Sequence, residues 1–200
     1  MDGARRDKNS FPIHNEMINK FKKQSGLTLL ETVIAISIFV VSAIVIVSLF
    51  IYHTKIFKIE ESLSSLKIHK SLFTRNFNEA GEAASAVASS QAIGGNQYIS
   101  STSTVIFKIP AIDADGNLLA NFFDYVIFYR DNSSVFMETE AASGSRKKSG
   151  QKLLASATEN LIFRYDSATP AGASSVSSFL YLKSSSAQDL ISATVFLRNK

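Results

Sequence analysis

Two hundred residues supply one ordinary domain and an appendage, and too little chain for two large cores. The absence of cysteine excludes a disulfide framework, a thiolate metal site and a cysteine nucleophile. The net charge of +4 sits mostly at the amino end, where the first 26 residues hold six Lys or Arg against three Asp or Glu, so overall basicity makes no case for nucleic acid.

The chain begins with MDGARRDKNSFPIHNEM, a polar stretch without the apolar content to build a core. After Lys20, Lys22 and Lys23 come Gly26, Leu27 and then Glu31, a carboxylate at the head of a long apolar run. Residues 33–52, VIAISIFVVSAIVIVSLFIY, are 20 residues with no charge, proline or glycine. As a helix they cover about 30 Å, the thickness of a bilayer core. Ser37, Ser42 and Ser48 fit such a helix because a serine hydroxyl can bond back to the preceding turn. A cleaved secretory signal is the main rival, but its apolar region is normally about 7–15 residues with a small-x-small cleavage site behind it. Here the run ends in FIYHTKIFK, which has no such site. Lysines flank its amino side, whereas Lys55 and Lys58 on the far side are balanced by Glu60 and Glu61, so the amino end is expected in the cytoplasm and the rest outside. A carboxylate at mid-bilayer costs about 2.5–3.5 kcal/mol on insertion scales, so Glu31 either reaches back to water at the cytoplasmic face or meets a partner.

Beyond the span, Tyr52, Ile56, Ile59, Leu63, Leu66, Phe73 and Phe77 recur at helical spacing, which predicts that the helix continues with one apolar stripe. Packing on the chain's own sheet is the favoured reading of that stripe over a coiled-coil seam. Gly81 and the run EAASAVASSQAI suggest fraying, and Gly94 with Gly95 a clear break. Strands follow at TVIFKIP (104–110), FDYVIFYR (123–130), VFMETE, NLIFRYD (160–166), FLYLK and ISATVFLR. Asp115-Gly116 and Asp131-Asn132-Ser133 mark hairpin turns, which implies an antiparallel sheet. FDYVIFYR is apolar on both faces, as for a strand with the helix on one side and loops over the other. AASGSRKKSG and SATPAGASSVSS read as loops.

Candidate chemistry is sparse. His14, His53 and His69 are spread over leader, membrane exit and helix, and the last two lie 16 residues apart, about 24 Å along a helix and too far for one metal. No glycine-rich phosphate loop, G-x-S-x-G or H-E-x-x-H occurs, and no serine sits in an activating motif. Neither enzymatic activity nor a cofactor or resident metal is expected. Asp113, Asp115 and Asn117 around Gly116 could offer oxygens to calcium, but a turn is the better reading because the later glutamate of a calcium loop is missing. Arg146, Lys147 and Lys148 could touch DNA, although a solvated loop is favoured and DNA is not counted as a partner.

The stretch QSGLTLLETVIAISIFV resembles the amino-terminal signature of type IV prepilins and type II secretion pseudopilins. The resemblance implies cleavage after Gly26 by a prepilin peptidase that also methylates the new amino terminus at Leu27, recognition of a leader ending in Lys22 and Lys23, and a role for Glu31 in assembly. A glycine admits the backbone closely to a protease groove. The new ammonium on Leu27 would need a counter-charge in lipid, which Glu31 of an adjacent subunit could give. Three departures stand out: Leu27 replaces the family's usual phenylalanine, the leader is long, and the proline common midway along the membrane helix is missing. Glu31 disfavours the tip subtype, which usually lacks it. The later strand order is similar to minor pilins and pseudopilins of the J-like or W-like sort. The expected organisation is a cytoplasmic leader (1–26), a transmembrane helix (27–52), an amphipathic outer half (53–92) and an extracytoplasmic β-rich head (93–200). The expected fold is α+β, a long helix packed on an antiparallel sheet. The resemblance implies a minor subunit in the bacterial inner membrane, with lipid, an assembly platform and other subunits as partners, that enters a filament serving secretion, DNA uptake, adhesion or motility. The alternatives are an unprocessed, signal-anchored binding protein and, with less behind it, a tethered hydrolase.

Overall fold

A computed structural model describes residues 28–184 and 187–198. The chain divides into two units, Met1–His53 and Thr54–Lys200. Helix α1, Leu29–Ala83, is 55 residues long and runs through the boundary.

In the first unit the helix is apolar and long enough to cross a membrane, and no part of its most apolar window is buried. Leu29, Phe39 and Phe50 are exposed to 85 %, 73 % and 69 %, and an exposed apolar surface of this extent marks a site of contact with a membrane or another protein. The serines bond back as expected: the Oγ atoms of Ser37, Ser42 and Ser48 donate to the carbonyls of Val33, Ile38 and Ile44 at 2.7, 2.8 and 2.8 Å. Each hydroxyl is thus satisfied inside the helix and asks nothing of lipid.

The second unit is α+β. After α1 come β1 (Ala86–Val87), β2 (Ser90–Ile93), β3 (Asn96–Ile99), β4 (Thr104–Ile112), β5 (Leu118–Asp131), β6 (Ser134–Glu140), β7 (Gly150–Ala155), β8 (Thr158–Tyr165), β9 (Ser175–Lys183) and β10 (Gln188–Phe196). All pairings are antiparallel, but three sheets form in place of one: a five-stranded β1-β4-β5-β6-β7, a three-stranded β10-β9-β8 and the β2-β3 hairpin.

The stripe of α1 explains how the first two sheets meet. Phe77 stacks on Phe73 at 5.6 Å and on Phe163 of β8 at 6.0 Å, and takes edge contacts from Phe107 of β4 at 5.5 Å and Phe128 of β5 at 5.6 Å. All five rings are fully buried. A phenylalanine on the helix therefore joins rings from both large sheets in offset and edge arrangements, the geometry aromatic quadrupoles favour. Burial along the stripe starts only at Leu66, while Ile59 and Leu63 remain 44 % and 41 % exposed. One turn past Phe77, Gly81 faces Val195 of β10 so closely that an added Cβ would lie 2.6 Å from the Val195 Cβ.

Several boundaries differ from the sequence reading. The helix stops at Ala83, and the small-residue run beyond it holds β1 and the start of β2; β1 is fixed by Ser85 and Ala88 on either side of it, which donate backbone hydrogen bonds to Lys108 and Ile106 on the open edge of β4 at 2.9 and 2.8 Å. Gly94 and Gly95, both at positive φ, form the two-residue turn of the β2-β3 hairpin, as glycine's freedom there allows. That hairpin, and not loops, covers the second face of FDYVIFYR: Ile93 packs with Ile106 and Ile127, with Tyr98, Tyr125 and Tyr129 around them. Residues 150–155 form β7, and the SVSS of the serine-rich run opens β9, where Val176 and Ser178 are buried.

Candidate functional site

Of the residues singled out at the amino end, Gly26, Leu27, Lys22 and Lys23 lie outside the described residues, as does His14. Glu31 lies in the first turn of α1. Its Oε2 accepts from the Thr28 backbone N–H at 3.0 Å and from the Thr28 hydroxyl at 3.2 Å. In return the Glu31 N–H donates to Thr28 Oγ1 at 3.3 Å. This reciprocal pair is a capping box: the hydroxyl satisfies an N–H that the first turn leaves orphaned, and the glutamate satisfies the N–H of the cap residue. The carboxylate is also well placed electrostatically, near the positive end of the helix dipole.

The Thr-Leu-Leu-Glu spacing carries that signal in plain view, and the sequence reading overlooked it while attending to the charge in an apolar run. The consequence is chemical. Oε2 holds the cap, while Oε1 makes no hydrogen bond among the described residues and is free to accept from a cation. Glu31 is exposed, and so is every residue from Thr28 to Ser42.

The other candidates resolve individually. The Asp113 carboxylate accepts from the N–H groups of Asp115 and Asn117 at 3.0 and 2.8 Å and from the Asn117 side-chain amide at 3.3 Å, with Gly116 at φ 92°, so its oxygens organise the β4-β5 turn. These donors, led by Asn117, hold its pKa below the ordinary carboxylate range. No group of three or more His, Asp or Glu among the described residues could hold a metal. His53 meets the Tyr52 ring edge-on, whereas His69 Nε2 shares a 2.9 Å hydrogen bond with Ser156 Oγ, so the two histidines serve separate contacts.

The basic loop departs from the solvated picture. The Arg146 N–H donates to the Ile112 carbonyl at 2.8 Å, and the buried Asp124 accepts from the Ala142 N–H and the Ser145 hydroxyl, both at 2.9 Å. The loop is thereby tied across β5, and Lys147 is half-buried while Arg146 and Lys148 stay exposed.

Comparison of the chain with protein-family models, curated proteins and solved structures returns no match.

Proposed function

We propose that the protein is a minor pilin or pseudopilin precursor: a prepilin peptidase cuts after Gly26, and the subunit enters an extracytoplasmic filament from the bacterial inner membrane. The observation that carries this reading is the placement of Glu31, in the first turn of a helix that goes on through a 20-residue uncharged span, four residues behind a glycine-leucine junction and a lysine pair. An isolated carboxylate there works against membrane insertion. A capping role alone could be filled outside such a span, and the open Oε1 suits a neighbour's amino terminus.

In this account Glu31 performs two tasks in turn. Within one chain it closes the helix end, and in the filament it neutralises the ammonium of an adjacent Leu27 and so fixes the register between subunits. Glu31→Gln tests this, because the amide keeps an acceptor for Thr28 and loses the charge. Cleavage and membrane insertion are expected to proceed as in wild type, with incorporation into filaments reduced by about tenfold or more, since an unpaired cation in lipid is strongly disfavoured. Wild-type incorporation of a cleaved Glu31→Gln subunit would overturn the role assigned to the charge.

A further inference from the structure

Next to the far end of α1 lies a cleft of about 340 Å³, at the lower end of the range of small-molecule sites. Its floor is apolar and comes from the helix and the five-stranded sheet, with Ile109, Val126 and Met137 among the lining residues. Its rim is the basic loop, which contributes Arg146, Lys147 and Lys148. Two carboxylates also border it. Both oxygens of Asp124 are engaged in tying the loop down, and the side chain is only 1 % exposed. Glu79, on the exposed side of α1, is the one acid of the rim that makes no hydrogen bond or ion pair among the described residues.

Three cations thus face one available carboxylate, and none of the three makes an ion pair within 4 Å among the described residues. Such an imbalance beside an apolar floor asks for an anion with a hydrophobic body. We propose that this cleft binds small monocarboxylates carrying a compact apolar group, the ring or chain resting against Met137 and Val126 and the carboxylate meeting the Lys147 ammonium and the Arg146 fork. The condition of Lys147 fits: burial lowers its pKa, with Arg146 adding to the lowering, while Asp124 and Glu79 pull it back up. A desolvated ammonium without a close partner gains from an incoming anion. The site lies wholly within the second unit and does not depend on filament assembly.

Met137 gives a direct readout, since the other two of the three methionines, Met1 and Met17, belong to the leader and act as internal controls. The full chain in lipid nanodiscs, labelled with ¹³C at the methionine methyls, is titrated with benzoate, with benzyl alcohol as the uncharged analogue and with inorganic phosphate as the anion lacking an apolar body. The expected result is a saturable shift of the Met137 signal alone, with benzoate at least about tenfold tighter than either comparison compound. Lys147→Gln should weaken benzoate by about fivefold or more. Should that change disturb the free-state Met137 signal, the exposed Lys148→Gln carries the comparison and should weaken benzoate about twofold. Absence of a saturable shift up to about 20 mM benzoate, equal binding of benzyl alcohol or of phosphate, or benzoate affinity unaltered in a correctly folded variant would each overturn the proposal.

Discussion

Residues 29–63 and 66–83 are two stretches of one helix with opposite relations to the rest of the chain. The first buries no residue: its apolar side chains run round the helix as far as Tyr52 and then alternate with Lys55, Lys58, Glu60 and Glu61, with exposures from Leu29 at 85 % through Ile46 at 66 % to Leu63 at 41 %. The second concentrates its apolar residues on one stripe and buries Leu66, Phe73, Phe77, Ala80 and Gly81. A helix that is apolar on every side takes its partners from outside the chain, whether lipid or the helices of other subunits, whereas an amphipathic one finds them within. The boundary between the two behaviours falls at Leu66, about four turns past the uncharged span.

The contrast can be sharpened by truncating an apolar side chain in each stretch. Phe77→Ala removes the ring shared by both large sheets and should destabilise the second unit by about 3–5 kcal/mol in thermal unfolding followed by tyrosine circular dichroism. Ile44→Ala, in the exposed stretch, should leave that transition within about 0.5 kcal/mol of wild type. Equal losses at the two sites would break the comparison.

A smaller effect is expected at Gly81. Glycine to alanine inside an exposed helix usually gains up to about 1 kcal/mol. Here the new methyl would press on Val195, and the same change should cost about 1–3 kcal/mol, recovered when Val195→Ala is added. A stabilised Gly81→Ala protein would mean that the helix and β10 are not in tight contact.

At the other end of α1, Thr28→Ala deletes half of the capping box and should cost the first turn about 1 kcal/mol, seen as faster amide exchange at residues 29–32 with no change in the second unit. The smallest effect is acid sensitivity. The N–H groups of Ser175 and Ser174 hold the Asp166 pKa below the ordinary carboxylate range, as Asn117 and Asp115 do for Asp113. A lowered carboxylate contributes stability that is fully present above the ordinary aspartate pKa and is lost as the pH falls through that range towards the folded-state value. Melting temperature should therefore decline over that acidic interval, and Asp166→Asn should flatten the decline.

Legibility in the sequence followed the range of the interactions. The span, the helix beyond it and the hairpin at Asp115-Gly116 rest on local periodicity and turn chemistry, and residues within a few positions of each other encode them. The split into separate sheets was not legible, because it arises where Phe77 touches Phe107, Phe128 and Phe163, rings up to 86 positions distant. The strand at Ala86–Val87 depends on the free edge of β4 and overrides the helix-favouring alanines around it. The basic loop looked solvated because the buried Asp124 that ties it down lies in another strand, 18 residues before the Ala142 it caps. Glu31 was legible as an anomaly, and its partner Thr28 was legible as well, three residues away.

The central claim, that the amino-terminal stretch is made for processing and assembly, is tested most directly by the intact mass and amino-terminal sequence of the protein recovered from membranes of cells containing a prepilin peptidase. The account predicts a chain beginning at Leu27, with or without one added methyl group. A protein that still begins at Met1 would contradict it and leave a signal-anchored protein in its place.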